Sequence, residues 1–493
     1  MKRKNLTTAV VAGLAGIAGL SSISNAAINM NNDGVGQVLI YPYYTVNENA
    51  DGDALNTLIS IVNTTEWAKV VKVRFLEGKN SREVLDFNLY LSAYDVWTAA
   101  LVPTVSTVPG HEGELSGKLL TNDHTCTSPN ALSGQEFLPY FYEAGGDPIS
   151  KDLIRSREGH FEVIEEGNFA HGSDPEGWVT HVAGTPTGCA NVDAAWQDQV
   201  WAPVDDVASM SGGIFGSASI INVANGTDVA YNARAINGWS TITRHTFPGR
   251  VSPDLNDGEI HPIFNTADSD VFLGGGVMHT WWPRAVEAFS APFMRNELYA
   301  EYELTSSIHA TTSYVVTFPT KAYYVDDFRA GAGNSPVLPF TKKITSNGAC
   351  EEFVANVWDQ EEKKVDITIG LISPPPPDGD LPVFCWEANV MNFDHGDTHS
   401  NIFFSNNKHT LTLPNTANFA HGWVNFAFAQ TTNRGNASPD LLGVSHIYGG
   451  LPMAGFAVQQ YVNGTLSKAE GTVLANYAGL FNHRFGRAIS SGQ

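Results

Sequence analysis

The residue types best suited to metal chemistry lie together at positions 394–399, in the segment Asp-His-Gly-Asp-Thr-His. If this segment is extended, His395, Asp397 and His399 point to one side, because alternate side chains of a strand share a face. Imidazole and carboxylate groups at that spacing are ligands for Zn²⁺ and other transition metals. The alternative is that residues 394–399 form an ordinary polar loop without a metal. The cluster is therefore a candidate metal site.

Loops rich in Asp, Asn and Gly offer oxygen ligands of another kind. Ca²⁺ prefers about six to eight hard oxygens, and carboxylates, amides and carbonyls around a glycine turn supply them. The loop at 254–259 departs from an EF-hand start, because its acidic and glycine positions are too close together and no glutamate closes it. The same residue types are common in turns without any metal. The candidate calcium ligands are Asp51, Asp53, Asp254, Asn256 and Asp257, with a further Asp-Gly-Asp loop at 378–380.

Tryptophans give a candidate sugar-binding surface. Trp281 and Trp282 are adjacent, and an exposed aromatic ring can stack on the apolar face of a sugar. The alternative is that these rings belong to the core, as most tryptophans do. Further tryptophans in or near predicted loops are Trp196, Trp201, Trp239 and Trp423.

Hydrolytic motifs are weak throughout the chain. Residues 443–447 read Gly-Val-Ser-His-Ile and lack the second glycine of a nucleophile elbow. Glu301 and Glu303 would share one face of a strand, but any acidic β protein offers many such carboxylate pairs. No set of nucleophile, base and orienting group can be assembled, which favours a binding or structural protein over an enzyme.

The elements that would position these residues are strands. In residues 69–75 and 85–91, apolar and polar side chains alternate with the period of two that is typical of a half-buried strand. Turn residues at 63–65 and 77–80 separate the runs. The pattern predicts an antiparallel sheet with one buried face and one wet face.

The same pattern predicts an all-β chain of two or more β-sandwich, immunoglobulin-like units with disulfide-bearing loop insertions. Residues 216–238 resemble 58–78 in pattern, which indicates a second copy of the same hairpin. The expected divisions are a signal peptide at 1–26, a first unit at 28–105, a loop-rich insertion at 106–210, a second unit at 211–340, and a connector with C-terminal strands at 341–493.

Four cysteines indicate two disulfides if the protein is exported. Of the three possible connectivities, we expect sequential pairing, Cys126 with Cys189 and Cys350 with Cys385. Each bridge would close a loop of tens of residues and stabilise the fold by about 3–4 kcal/mol. A zinc site is the weaker alternative, because the spacing is wide and no C-x-x-C motif occurs.

The first residues indicate export. Lys2, Arg3 and Lys4 precede an apolar run, and small residues end the segment at Ala26, as in a secretory signal peptide. No apolar run reaches the roughly 20 residues of a spanning helix, so we do not expect an integral helical membrane protein. With 28 Lys and Arg against 51 Asp and Glu, the chain has a formal net charge of −23, which opposes binding to nucleic acid and anionic lipid.

Three segments, 71–97, 216–236 and 313–327, resemble a group of secreted proteins of Gram-negative bacteria that has no assigned activity. The resemblance extends over most of the mature chain. The first predicted unit is also similar to bacterial immunoglobulin-like modules, with an Ile/Val-rich strand that ends in Asn. These resemblances imply a β-sandwich fold and a location outside the cytoplasm, and they transfer no catalytic residue.

Together these patterns predict an exported protein on the cell surface or in the extracellular space, with the periplasm as the alternative, and a structural or adhesive role. The candidate partners are further copies of the chain or a surface polysaccharide. The sequence does not identify a cofactor, and calcium is the candidate. A secreted carbohydrate-binding or carbohydrate-active protein and a metal-dependent secreted enzyme are the alternative functions.

Overall fold

The computed structural model describes residues 27–130, 132–143, 146–198, 201, 207–366, 372–373, 381–396, 401–428, 445–469 and 471–492. The expected signal peptide lies outside these residues, as do Asp397, His399 and the loop at 378–380. None of the helices within the described ranges combines the length and apolarity needed to cross a membrane.

The chain is all-β, and its strands form two sets, one up to residue 282 and one after it. The first set is β1 (Asn29–Met30), β2 (Val38–Thr45), β3 (Leu55–Asn63), β4 (Lys69–Glu77), β5 (Glu83–Leu91), β6 (Val96–Val105), β7 (Leu115–Leu120), β8 (Cys126–Ser128), β9 (Glu158–Phe169), β10 (His181–Val182), β11 (Thr185–Pro186), β12 (Val207–Ala208), β13 (Ile214–Asn222), β14 (Thr227–Asn232), β15 (Arg234–Asn237), β16 (Ala267–Leu273) and β17 (Gly276–Trp282).

The second set of strands is β18 (Met294–Arg295), β19 (Glu297–Glu303), β20 (Ala310–Thr317), β21 (Glu351–Glu352), β22 (Val354–Asp359), β23 (Lys364–Asp366), β24 (Ile372–Ser373), β25 (Val383–Phe384), β26 (Ala388–Asp394), β27 (Lys408–Thr412), β28 (His421–Ala427), β29 (Ser445–Tyr448), β30 (Leu451–Pro452), β31 (Ala454–Lys468), β32 (Gly471–Asn482), β33 (Arg484–Gly486) and β34 (Ile489–Gly492). The α-helices are short: α1 (Asp174–Val179), α2 (Cys189–Gln197), α3 (Ala285–Ser290), α4 (Ala322–Val325) and α5 (Asp327–Ala330).

Two antiparallel sheets share a core in the first part of the chain. The first sheet has the order β1-β15-β2-β9-β4-β5-β8, with β12 on β9, and the second has the order β14-β13-β3-β6-β7. Val73 and Phe87 of the first sheet lie in one hydrophobic cluster with Ile59 and Ile61 of the second. The alternation of buried and more exposed residues along β3 is the one that its sequence predicts.

The first sheet differs from the sequence expectation in one respect, because both faces of β4 and β5 are buried. Lys72 and Arg74, expected to face water, are each 0% exposed. The Lys72 ammonium donates to the carbonyl of Ser252 at 2.9 Å and pairs with Asp86 at 3.1 Å, and Arg74 pairs with Glu162 at 2.9 Å. Carboxylates on the neighbouring strands and the backbone of the loop at 250–252 thus enclose side chains that alternation alone assigns to solvent.

Residues 214–237 belong to these same two sheets. β13 pairs along its whole length with β3, and β15 pairs with β2. The segment at 216–238, predicted as a hairpin of a second unit, is therefore a direct neighbour of the strand it resembles. The expected boundary at residue 211 separates strands that are hydrogen-bonded to one another.

Two further sheets share a core in the second part of the chain. The third sheet has the order β23-β22-β28-β19-β33, and the fourth has the order β24-β27-β26-β20-β31-β32. Tyr302 of the third sheet stacks on Phe393 of the fourth, with ring centroids 5.8 Å apart. The fourth sheet also reaches the first core, where Phe456 stacks on Tyr231 at 4.9 Å.

Both disulfides have the predicted sequential pairing, Cys126 with Cys189 and Cys350 with Cys385. The first joins β8 to the start of α2. The region expected to be a loop-rich insertion, 106–210, also contains β9, which lies between β2 and β4 in the first sheet. Here α1 and α2 pack on the first sheet around Tyr90 and Phe169.

Candidate functional site

The predicted transition-metal cluster is only partly visible. His395 follows β26 and is half-buried, with its Nδ1 atom 3.5 Å from the carbonyl oxygen of Leu413. Its two proposed partners, Asp397 and His399, lie outside the described residues. Within the described ranges no group of three or more His, Cys, Asp or Glu side chains is placed to hold a metal ion.

The predicted calcium loops use their oxygens within the protein. Asp254 pairs with Arg329 at 2.9 Å and also accepts from the backbone of Asn256. The Asn256 side chain accepts from the backbone of Val286, and Asp257 accepts from the backbone of Asp254.

In the other loop, Asp53 accepts from the amide of Asn49 at 3.0 Å, and the Asn49 side chain in turn accepts from the backbone of Asp51 and Asp53. Both loops are closed by their own hydrogen bonds, which is what turn residues do without a metal.

Trp281 and Trp282 do not form a shared surface, which corrects the sequence expectation for this pair. They are neighbours in β17, so they point to opposite faces of the strand. Trp282 is 2% exposed and its indole donates to Ser269. Trp281 is half-buried and one of its faces is stacked on Phe264 at 5.0 Å. Adjacent tryptophans in a strand are therefore a poor indicator of a binding surface.

A row of aromatic and charged side chains crosses the outer face of the third sheet. Glu301 of β19 lies opposite Trp423 of β28, which lies opposite Trp358 of β22, which lies opposite Lys364 of β23. Trp423 is 39% exposed and Trp358 is half-buried. Large aromatic rings that stay partly exposed on an outer sheet face are typical of interaction sites, and no described segment covers these two rings completely.

The two indoles of this row stack on each other. Their centroids are 4.1 Å apart and their planes are inclined by 7°. Because neighbouring strands are about 4.7–4.9 Å apart, the stacking direction runs from strand to strand. One face of Trp423 is therefore covered by Trp358, and its other face is turned toward β19.

The open face of Trp423 borders a cleft of about 450 Å³. Tyr299 stands on the same side of β19, with its ring centroid 6.4 Å from Trp423 and the two planes inclined by 48°. Glu301, Asn482 and Arg484 supply polar groups to the cleft wall. We call Tyr299, Trp423, Trp358 and the adjoining space the aromatic cleft.

Hydrogen bonds fix the polar groups around the aromatic cleft. The Tyr299 hydroxyl donates to Glu297, and this bond, with a smaller contribution from burial, raises the pKa of Tyr299 to about 12. Burial alone would raise the pKa of Glu303, but hydrogen bonds from Thr305 and His421 lower it below its usual value. Near neutral pH the Tyr299 hydroxyl is therefore protonated and can donate, and the Glu303 carboxylate is ionised and can accept.

A second concentration of ionisable groups lies beneath the outer face of the first sheet. Arg74 pairs with Glu83 at 2.8 Å and Glu162 at 2.9 Å, and Arg82 pairs with Asp326 at 2.6 Å. These side chains are at most 4% exposed, so no substrate can reach them in this state. They tie the first sheet to the segment after β20 and are better explained as a structural network than as a catalytic site.

Comparison of the chain with protein-family models, with curated proteins and with solved structures finds no match. The aromatic cleft therefore has to be interpreted from its own geometry. Of its aromatic residues, sequence reasoning names Trp423 and misses Tyr299 and Trp358. Trp358 stands at one of the less buried positions of β22, but the sequence there, Val-Ala-Asn-Val-Trp-Asp, mixes apolar and polar residues on both faces and does not show which face is exposed.

Proposed function

We propose that this is an exported adhesive protein that binds a polysaccharide in its aromatic cleft. The observation that carries the proposal is the stacked pair Trp423 and Trp358 with Tyr299 beside it, on an outer sheet face. It combines the adhesive role and the surface-polysaccharide partner expected from the sequence, with the sugar site on a sheet other than the predicted one.

The geometry suits a chain of sugar rings. A pyranose face can pack on the open face of Trp423, because an aromatic ring offers a large, rigid apolar surface with few torsions to freeze. The Glu301 carboxylate and the Asn482 amide lie in the same cleft, where they can accept from and donate to sugar hydroxyls. Since the aromatic residues stand on paired strands, the site is preorganised and little ordering is needed on binding.

The location and the finer fold assignment belong to the same proposal. Two disulfides fit an oxidising compartment outside the cytoplasm. Antiparallel sheets that share cores fit β-sandwich units. The likeness to immunoglobulin domains would lie in the packing of two sheets against each other and not in the strand order. The first sheet has eight strands, which is more than either sheet of an immunoglobulin constant domain.

Affinity electrophoresis tests the proposal. The mature protein is run through gels that contain one polysaccharide each, from a panel of plant, bacterial and animal polymers. We expect at least one polymer to retard the protein, and Trp423→Ala to migrate as in a gel without polymer. Trp67→Ala is the matched control, because Trp67 is a partly buried indole stacked on His171 in a distant part of the fold. Equal retardation of wild type and Trp423→Ala would refute the site.

A further inference from the structure

Four arginines meet at one end of the aromatic cleft. Arg234, Arg295 and Arg484 line a cavity of about 250 Å³ between β15, β18 and β33, and Arg487 approaches the same ring as Arg295. The chain has a formal net charge of −23 and only 28 Lys and Arg in all. A local group of four guanidinium ions is therefore unexpected from composition.

An aromatic ring holds two of these guanidinium groups together. The Arg295 guanidinium lies 3.8 Å and the Arg487 guanidinium 5.3 Å from the centroid of Phe485. Arg295 donates to the carbonyls of Pro292 and Met294 at 2.7 and 2.8 Å. Backbone carbonyls and a ring face orient these cations, and none of these partners carries a negative charge.

No carboxylate neutralises this group within the described part of the chain. Arg234 donates to the amide oxygen of Asn482 at 2.9 Å, and Arg487 donates to the carbonyl of Pro292 at 2.6 Å. Burial, followed by the charges of Arg487 and Arg234, lowers the pKa of Arg295 well below its usual value. Guanidinium groups nevertheless stay protonated in proteins, so the cavity carries an uncompensated positive charge.

The neighbouring histidine does not change this balance. His483 lines the same cavity, and its Nε2 atom is 2.9 Å from the carbonyl oxygen of Val315. Burial lowers the pKa of His483 to about 4, so the imidazole is neutral near neutral pH. The positive charge of the cavity therefore comes from the arginines alone and does not depend on pH in the physiological range.

We propose that the arginine cavity binds an oxyanion, namely the carboxylate or sulfate group of an acidic polysaccharide whose neighbouring sugars lie in the aromatic cleft. The forked guanidinium matches carboxylate and sulfate geometry. Asn482 and Arg484 line both the cavity and the aromatic cleft, so a bound chain can pass from one to the other. This inference rests on the proposed function and narrows its ligand to an acidic polymer.

The test compares acidic polymers with their neutral counterparts by isothermal titration calorimetry at fixed ionic strength. The pairs are polygalacturonate with its methyl ester and chondroitin sulfate with its desulfated, methyl-esterified form. We expect the wild type to bind at least one acidic member about tenfold or more tightly than its neutral partner, which is the effect of one charge-assisted contact. Arg234→Gln and Arg484→Gln should lose this preference, whereas Arg250→Gln, an exposed arginine elsewhere, should keep it.

Three outcomes would overturn the inference. One is that Arg234→Gln and Arg484→Gln keep the wild-type preference, and another is that the wild type has no preference. The third is that free sulfate or D-glucuronate raises the unfolding midpoint of the wild type, but not of Arg234→Gln, without any preference among polymers. That result would assign the cavity to a free anion. The Trp423→Ala variant distinguishes this failure from failure of the proposed function. If only the arginine cavity is wrongly assigned, Trp423→Ala still weakens binding of the neutral polymers. If the proposed function is wrong, Trp423→Ala binds the neutral polymers as the wild type does.

Discussion

Replacing Arg74 by methionine tests whether the buried ion network stabilises the fold. Arg74 is fully buried and holds two carboxylates, Glu83 at 2.8 Å and Glu162 at 2.9 Å. Removing one partner of a buried ion pair typically costs about 3–5 kcal/mol, because the other charge stays buried and unpaired. For 493 residues that unfold together, with an unfolding entropy of about 2.1 cal/mol/K per residue, we expect the midpoint of thermal unfolding to fall by roughly 3–5 °C, at about 1 °C per kcal/mol.

Differential scanning calorimetry measures the effect, and two further variants identify its cause. Lys343→Met removes an exposed lysine from an ion pair with Asp327 and should leave the midpoint nearly unchanged, since solvent screens such pairs. Adding Glu83→Gln and Glu162→Gln to Arg74→Met should restore part of the loss, because the stranded charges are then gone. An Arg74→Met midpoint within about 1 °C of wild type, or no recovery in the triple variant, would refute the reasoning.

Two further predictions concern pH and the second disulfide. Burial raises the pKa of Glu162 to about 7 and that of Glu166 to about 8; the folded state thus binds protons that the unfolded state releases, and stability should rise as the pH falls from about 8 to 6.5. Below about pH 6.5 the rise should level off, because the unfolded state then gains protons on four histidines whose pKa burial lowers in the fold, His160, His245, His409 and His483. A calorimetric midpoint that falls steadily from pH 8 to 6.5 would contradict this. Replacing Cys350 and Cys385 by serine opens a loop with a sequence separation of 35 residues and should cost about 4 kcal/mol; unchanged denaturant unfolding would count against it.

Local patterns in the sequence identify most of the strands. The alternation in residues 69–75 and 85–91 predicts β4 and β5, and the two hydrogen-bond to each other as expected. The sequential cysteine pairing expected from the sequence is also found. Alternation does not predict what contacts the polar face of a strand. From the sequence Lys72 is expected to be exposed to solvent, but in the structure it donates to the carbonyl of Ser252, which is far along the chain.

Which strands pair with each other was harder to predict from the sequence than where the strands lie. The likeness of residues 216–238 to 58–78 indicates two similar hairpins, but similarity cannot tell a repeat in another unit from a neighbour in the same sheet. In the structure Ser217 of β13 lies directly opposite Ser60 of β3, with their hydroxyl oxygens 3.0 Å apart. Pairing between distant strands depends on the whole topology, which no local pattern contains.

The proposed site is not the one that the sequence indicates first. The adjacent tryptophans at 281 and 282 are divided between two faces of one strand. The aromatic cleft takes Tyr299, Trp358 and Trp423 from three strands that are distant in the sequence. The arginine cavity likewise joins segments from β15, β18 and β33. Sites of this kind arise from sheet register, so composition and spacing do not identify them.

Polysaccharide binding in the aromatic cleft is tested most directly by titrating the best polymer from the electrophoresis panel into wild type, Trp423→Ala and Trp67→Ala in a calorimeter. Removing a central aromatic anchor costs about 2 kcal/mol or more, so the dissociation constant of Trp423→Ala should rise about 30-fold or more. The dissociation constant of Trp67→Ala should stay within about twofold of wild type, since surface changes away from a site are worth roughly 0.5 kcal/mol or less. Equal affinities of wild type and Trp423→Ala, with both variants folded, would contradict a binding role for the cleft.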